Sequence, residues 1–193
     1  MSSDRRTLLA DAALGVLADS GLRGLTHRAV DRAAGLPDGT TSAYFRTRQA
    51  LLTALVRRLV ELDQAELQAA GEAAGMPRSA EELVAGIAAL VERRLTGEGR
   101  RRTLARYACA LESVHQPELR EILTPRENAG RDLVRAFLAG QGFADAEART
   151  LTLLRSVDGL VFDGLTGGGA VTEEEIRRLV AAALLPAAPS APA

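Results

Sequence analysis

Apolar residues recur three and four positions apart along almost all of this chain, and no stretch alternates apolar with polar as a half-buried strand does. That pattern restricts the fold to packed helices. Residues 4–20 place Leu8, Leu9, Ala12, Ala13, Val16 and Leu17 on one face, and Gly21 ends the helix. Residues 26–34 open on Thr26, a good N-cap, and bury Ala29, Val30 and Ala33. Gly35 follows where a left-handed C-cap is expected. A short helix over about 37–44 has Pro37 at its first turn. Thr47 caps a long helix that runs to about residue 72 with Leu51, Leu52, Leu55, Val56, Leu59 and Val60 as its stripe.

The glycines and proline of GEAAGMPR, residues 71–78, mark a linker. Ser79 and Glu82 form a capping-box signature for a helix at 80–96. Helices follow at about 101–115 and 117–140, the second broken by another box at Thr124 to Glu127. Asp145 caps a helix at 146–165, and Thr172 and Glu175 box the last one at 173–185. The final PAAPSAPA, residues 186–193, reads as a disordered tail. The expectation is an all-α chain of about nine helices. With 47% hydrophobic and only 3% aromatic residues, its core is aliphatic.

Several classes of function are disfavoured. The single cysteine, Cys109, cannot make an intrachain disulfide and reads as packing. His27 and His115 stand far apart, with no metal-ligand spacing. No nucleophile–base pair or phosphate loop is present, so neither an enzyme nor a cofactor is expected. No apolar run is long enough for a membrane span, and the N-terminus lacks a signal-peptide pattern, so the expected location is cytoplasmic. All 24 basic residues are arginine and the net charge is −1. Residues 1–48 nevertheless carry seven arginines against five aspartates, a sign that suits a nucleic-acid-facing N-terminus.

The pair of helices at 26–34 and 37–44, joined by a tight turn at Gly35-Leu36, is a helix-turn-helix. Alanines on the first helix let the second approach. Glycine permits the positive φ of the turn, and Leu36 plugs the corner. The second helix then needs an outward face small enough for the major groove, and Asp38, Gly39, Thr40, Thr41 and Ser42 supply one.

The run GLRGLTHRAVDRAAGLPDGTTSAYFRTRQALL resembles the N-terminal domain of TetR/AcrR-type transcriptional regulators. Gly24, Thr26, Ala34-Gly35-Leu36, Gly39-Thr40, Phe45, Arg48 and Leu51-Leu52 match that pattern without a gap, over about residues 5–56. The sequence departs from it in three places. Ser42 stands where tyrosine is usual, Tyr44 where histidine is usual, and Arg48 where lysine is usual.

The resemblance implies a DNA-binding head at 1–47 and a helical effector-binding and dimerisation domain at 48–185. It implies a homodimeric repressor that binds a palindromic DNA operator and is released by a small-molecule effector, with no membrane partner. Thr26, His27, Arg28, Gly39, Thr40, Thr41, Ser42, Tyr44, Arg46, Thr47 and Arg48 are the expected DNA contacts. Hydroxyls bond phosphate oxygens, threonine methyls meet thymine methyls, and arginine beside a helix N-terminus is a phosphate site. Phe45 is expected in the core. Tyr107, Leu111, Glu112, His115 and Phe137 are candidates for the effector pocket, with Glu112 and His115 three apart on one helix face. Leu151, Leu154, Val157, Leu160, Val161, Ile176, Leu179 and Val180 are expected at the dimer seam, where the last two helices of each subunit would make a four-helix bundle. The alternative is a helical small-molecule-binding or adaptor protein whose helix-turn-helix is only structural.

Overall fold

The structure is a computed structural model that describes residues 2–123, 128–167 and 169–186. Among the described residues there are ten helices and no strand. They are α1 (Ser2–Gly24), α2 (His27–Ala33), α3 (Thr40–Tyr44), α4 (Arg48–Ala74), α5 (Ala80–Leu95), α6 (Gly97–Glu112), α7 (Pro117–Leu123), α8 (Ala129–Gly140), α9 (Ala146–Thr166) and α10 (Glu173–Ala183). The box read at Thr124 to Glu127 and the tail from residue 187 lie outside the described residues. No described helix is long and apolar enough to cross a membrane.

The cap chemistry explains most of the boundaries. Gly21 leaves helical space at φ 64°, breaking α1 one turn before its end. Thr26 accepts from the Ala29 amide at 3.2 Å and Thr47 from the Ala50 amide at 3.0 Å. Both halves of the Thr172/Glu175 box are made. The Ser79 hydroxyl accepts from Glu82, but Glu82 turns to the Arg78 amide and guanidinium instead of closing the box.

Some boundaries differ from expectation. α3 begins at Thr40 because Gly39 sits at φ 91°, outside helical space. GEGRRR belongs to α6, which starts at Gly97 and stops at Glu112. His115 therefore lies beyond the helix end, and Glu112 accepts from Gln116 rather than sharing a face with His115.

The chain forms two compact units: Met1–Leu67 with Arg94–Glu127, and Gln68–Arg93 with Asn128–Ala193. In the first, Leu9, Leu17, Leu25, Val30, Leu52, Leu55 and Leu59 are fully or almost fully buried in one cluster with Cys109 and Leu119. Each buried leucine contributes about 1.5–3 kcal/mol. Residues 1–47 thus share their core with α4, α6 and α7. Ion pairs hold the rim: Arg58 grips Asp11, joining α4 to α1, and Arg101 grips Asp19, joining α6 to α1. Arg102 and Arg106 of α6 meet Glu66 and Asp63 of α4. Burial pushes the Cys109 thiol up to about 12; Arg106 opposes the rise and Glu112 adds to it. A thiol held protonated in this way is packing material, as expected.

In the second unit, Val134 and Phe137 of α8, Leu153, Val157 and Val161 of α9, and Ile176 and Val180 of α10 are buried. Arg149 fastens α10. Its guanidinium donates to the Ala183 and Leu185 carbonyls at 2.8 and 2.6 Å, pairs with Asp145, and lies 4.2 Å from the Phe143 ring centroid.

Candidate nucleic-acid interface

α2 ends in a Schellman turn. The Leu36 amide donates to the Asp31 carbonyl at 2.9 Å and the Gly35 amide to the Arg32 carbonyl at 3.1 Å, with Gly35 at φ 65°. Only glycine takes that conformation without strain, so the turn is fixed by sequence. A second turn follows, in which the Thr40 amide and hydroxyl both donate to the Pro37 carbonyl.

α3 is only five residues long and buries no fully apolar side chain of its own. An isolated helix of this length has almost no stability in water. Tyr44, its last residue, packs half-buried on the core cluster, and the anchor of its first turn is polar. The Asp31 carboxylate, fully buried on α2, accepts from the Gly39 amide at 2.8 Å, the Thr41 amide at 2.6 Å and the Thr41 hydroxyl. Burial pushes this carboxyl up. The bonds from Thr41 and Gly39, with His27 close by, outweigh burial and hold it below its ordinary value. Hydrogen bonds to a charged group contribute about 1.5–3 kcal/mol each, which offsets the desolvation of one carboxylate. At the other end of α3, the His27 Nε2 donates to the Phe45 carbonyl at 2.7 Å, while the Phe45 ring is buried in the core.

This geometry sorts the expected DNA contacts. Thr26, Arg28, Gly39, Ser42, Arg46, Thr47 and Arg48 are exposed, and Thr40 and Tyr44 are half-buried. Thr41 is corrected. It is 0% exposed and its hydroxyl serves Asp31, so it faces α2 rather than a groove. His27 is also redirected, since one ring nitrogen is committed to Phe45. Arg48 donates to the Leu22 carbonyl at 2.7 Å, bracing the α1 end. Gly39 is required by its backbone: a Cβ there would meet nothing, but φ 91° is strained for any L side chain. Arg6 lies over the rings of Tyr44 and Phe45, at 5.7 and 5.6 Å, close enough for cation–π contact at the end of α3.

Sequence reasoning missed Asp31. The signal was a carboxylate four residues after His27, on the face of α2 that also carries buried Val30.

The other expected sites are less gathered. Tyr107, Leu111, Glu112 and His115 belong to the first unit and Phe137 to the second. Leu111 is 70% exposed, whereas Phe137 fills its own unit's core. Val157, Val161, Ile176 and Val180 are already buried in the single chain, whereas Leu151, Leu154, Leu160 and Leu179 are half-buried. The outward face of α9 is instead Ala148, Thr152, Arg155, Gly159, Phe162 and Thr166, all exposed and spaced by four and three.

The elements assembled here are those of an all-α helix-turn-helix regulator. Residues 78–186 match the model of the tetracyclin repressor-like C-terminal domain, more than half of the chain. A TetR-family structure from Streptomyces coelicolor superposes with a TM-score of 0.72 at 27% identity, covering 94% of this chain and 99% of that one. A transcriptional regulator from Rhodococcus gives 0.71 at 28%, covering 92% of each. The multidrug binding protein EbrR, solved with imidazole, gives 0.69 at 27%, covering 96% and 97%. No curated protein matches the chain. The chain belongs to the TetR-like family of DNA-binding transcriptional regulators.

Proposed function

We propose that this protein is a homodimeric cytoplasmic repressor that binds a palindromic operator and leaves it when a small molecule binds. Residues 1–47 act as the DNA head and residues 48–185 as the effector and dimer region. The observation that carries the reading is the exposed, small-residue face of α3, held on α2 and flanked by Arg28, Arg46 and Arg48. Ser42 offers a hydroxyl, and Thr40, whose O–H is spent on the Pro37 carbonyl, a methyl and an acceptor oxygen, all of a size that enters a groove. The arginines offer phosphate contacts that set register without reading sequence. The effector half of the proposal is supported by EbrR, which has been solved with imidazole, proflavin and ethidium.

A single helix-turn-helix reads too few base pairs for useful specificity, and two heads placed ~34–36 Å apart read a palindrome. The outward face of α9 suits such a dimer. Its Thr152 and Thr166 hydroxyls donate back to the Ala148 and Phe162 carbonyls, so the two threonines turn methyls outward on either side of Arg155, Gly159 and Phe162. Gel retardation with the DNA upstream of the protein's own gene, at low salt, tests the proposal. A band that shifts, and that is released by the effector, supports it. Failure to retard any fragment defeats it. Thr40→Ala with Tyr44→Ala should abolish retardation while the dimer mass stays unchanged.

A further inference from the structure

α3 must present the same face to DNA at every encounter, yet it is too short to be stable alone and has no apolar side chain buried on its inner surface. Buried Phe45 and half-buried Tyr44, the last residue of α3, both pack on the core cluster, but they hold one end of the helix and leave its first turn free to move. Two side chains of α2 remove that freedom. Asp31 takes both the amide of Gly39, which caps α3, and the amide and hydroxyl of Thr41 inside it. His27, one turn earlier on α2, holds the Phe45 carbonyl just past the other end.

We propose that Asp31, assisted by His27, is a positioning residue for base recognition: the two fix the roll and register of α3 on α2 without touching DNA. The inference rests on the reading of α2 and α3 as the DNA reader and deepens it. A polar clamp differs from an apolar one in a way that can be measured. Apolar packing tolerates small rotations with little loss, whereas three directed bonds to one carboxylate weaken steeply when α3 turns. Loss of the clamp should therefore blur base readout more than it weakens attraction to phosphates, which follows charge and tolerates small misplacements.

The test uses the full chain, a duplex selected by the wild-type protein from a randomised pool, and a random-sequence duplex of equal length. Asp31→Asn should lower affinity for the selected duplex by roughly tenfold, the size of one lost base contact, and change affinity for the random duplex by less than about twofold. Amide exchange at Gly39 and Thr41 should rise while the core amides of α1 and α4 keep their protection. His27→Ala should show the same selective loss, and His27→Gln, whose amide can reach the same carbonyl, should restore it. If His27 contacted phosphate instead, both duplexes would lose affinity together, and the assisting role would fall. Thr41→Val keeps both amide bonds and guards against misfolding of the aspartate variant. A selective loss of roughly threefold there supports the clamp. Equal affinities in Asp31→Asn and wild type, or equal proportional losses on both duplexes, would overturn it. A wild-type protein that selects no duplex at all takes down the DNA reading first, an outcome distinct from a wild type that selects and a variant that matches it.

Discussion

At the scale of single residues, one buried carboxylate does what a leucine would do in an apolar turn, and that choice has a pH signature. Asp31 titrates below its ordinary 3.8 in the fold, because the bonds from Thr41 and Gly39 outweigh the opposing effect of burial. The unfolded chain therefore binds the proton more readily than the native one. The carboxylate's contribution to stability is fully present above about pH 4 and is lost as the pH falls through the lower folded value. Denaturant unfolding of wild type and Asp31→Asn should differ most near neutrality and converge in acid. A gap that is constant with pH would contradict the assignment. Gly39 makes a second residue-scale prediction. Gly39→Ala meets no steric neighbour, so its cost is the left-handed backbone alone, about 1–2 kcal/mol. The same experiment at one pH reads it, and a neutral result would mean that the turn relaxes without harm.

At the scale of elements, most helices were legible in the sequence because their ends are chemical. Thr26, Gly35, Thr47 and Thr172 act where a reader of caps would place them. What failed was orientation. Threonines at 40 and 41 look alike in sequence, but Thr41 turns inward because a partner carboxylate ten residues away in sequence claims its hydroxyl. The apolar stripe of α9 is ambiguous in a related way: periodicity reveals that a face is buried, not what buries it. Val157 and Val161 are buried in the single chain, and the outward face mixes Ala148, Thr152, Arg155, Gly159, Phe162 and Thr166, which carry no periodic apolar signal. Arg149 was invisible as well, since its partners are carbonyls more than thirty residues away. Arg149→Met keeps the side-chain bulk and removes the donors that cap α10. It should lower stability by about 1–2 kcal/mol. Calorimetry on the variant checks this, and an unchanged midpoint would show that water replaces the guanidinium freely.

At the scale of the whole molecule, charge and assembly decide how DNA is met. The chain as a whole carries −1, so long-range attraction must come from the local excess around Arg5, Arg6, Arg28, Arg46 and Arg48. Affinity for the selected duplex should then fall linearly on a log–log salt plot, losing about 0.9 of slope for each phosphate contact removed. Arg46→Ala should reduce that slope while leaving the preferred sequence intact. Assembly gives the stronger test. Phe162 is 49% exposed on the outward face of α9, close to Gly159 on the helix surface, where a second copy could bring its own helix near. An arginine there would place one guanidinium of each copy at the centre of a two-fold contact, where like charges in a dry seam repel. Phe162→Arg should shift the sedimentation-equilibrium mass from dimer towards monomer without lowering the helical circular dichroism, since the side chain is not part of its own unit's core. Each head remains folded, so binding to a single half-site should persist at the weak level of one reader, while binding to the full palindrome loses the gain from linkage. A variant that stays dimeric, or that keeps full affinity for the palindrome, would move the seam away from α9.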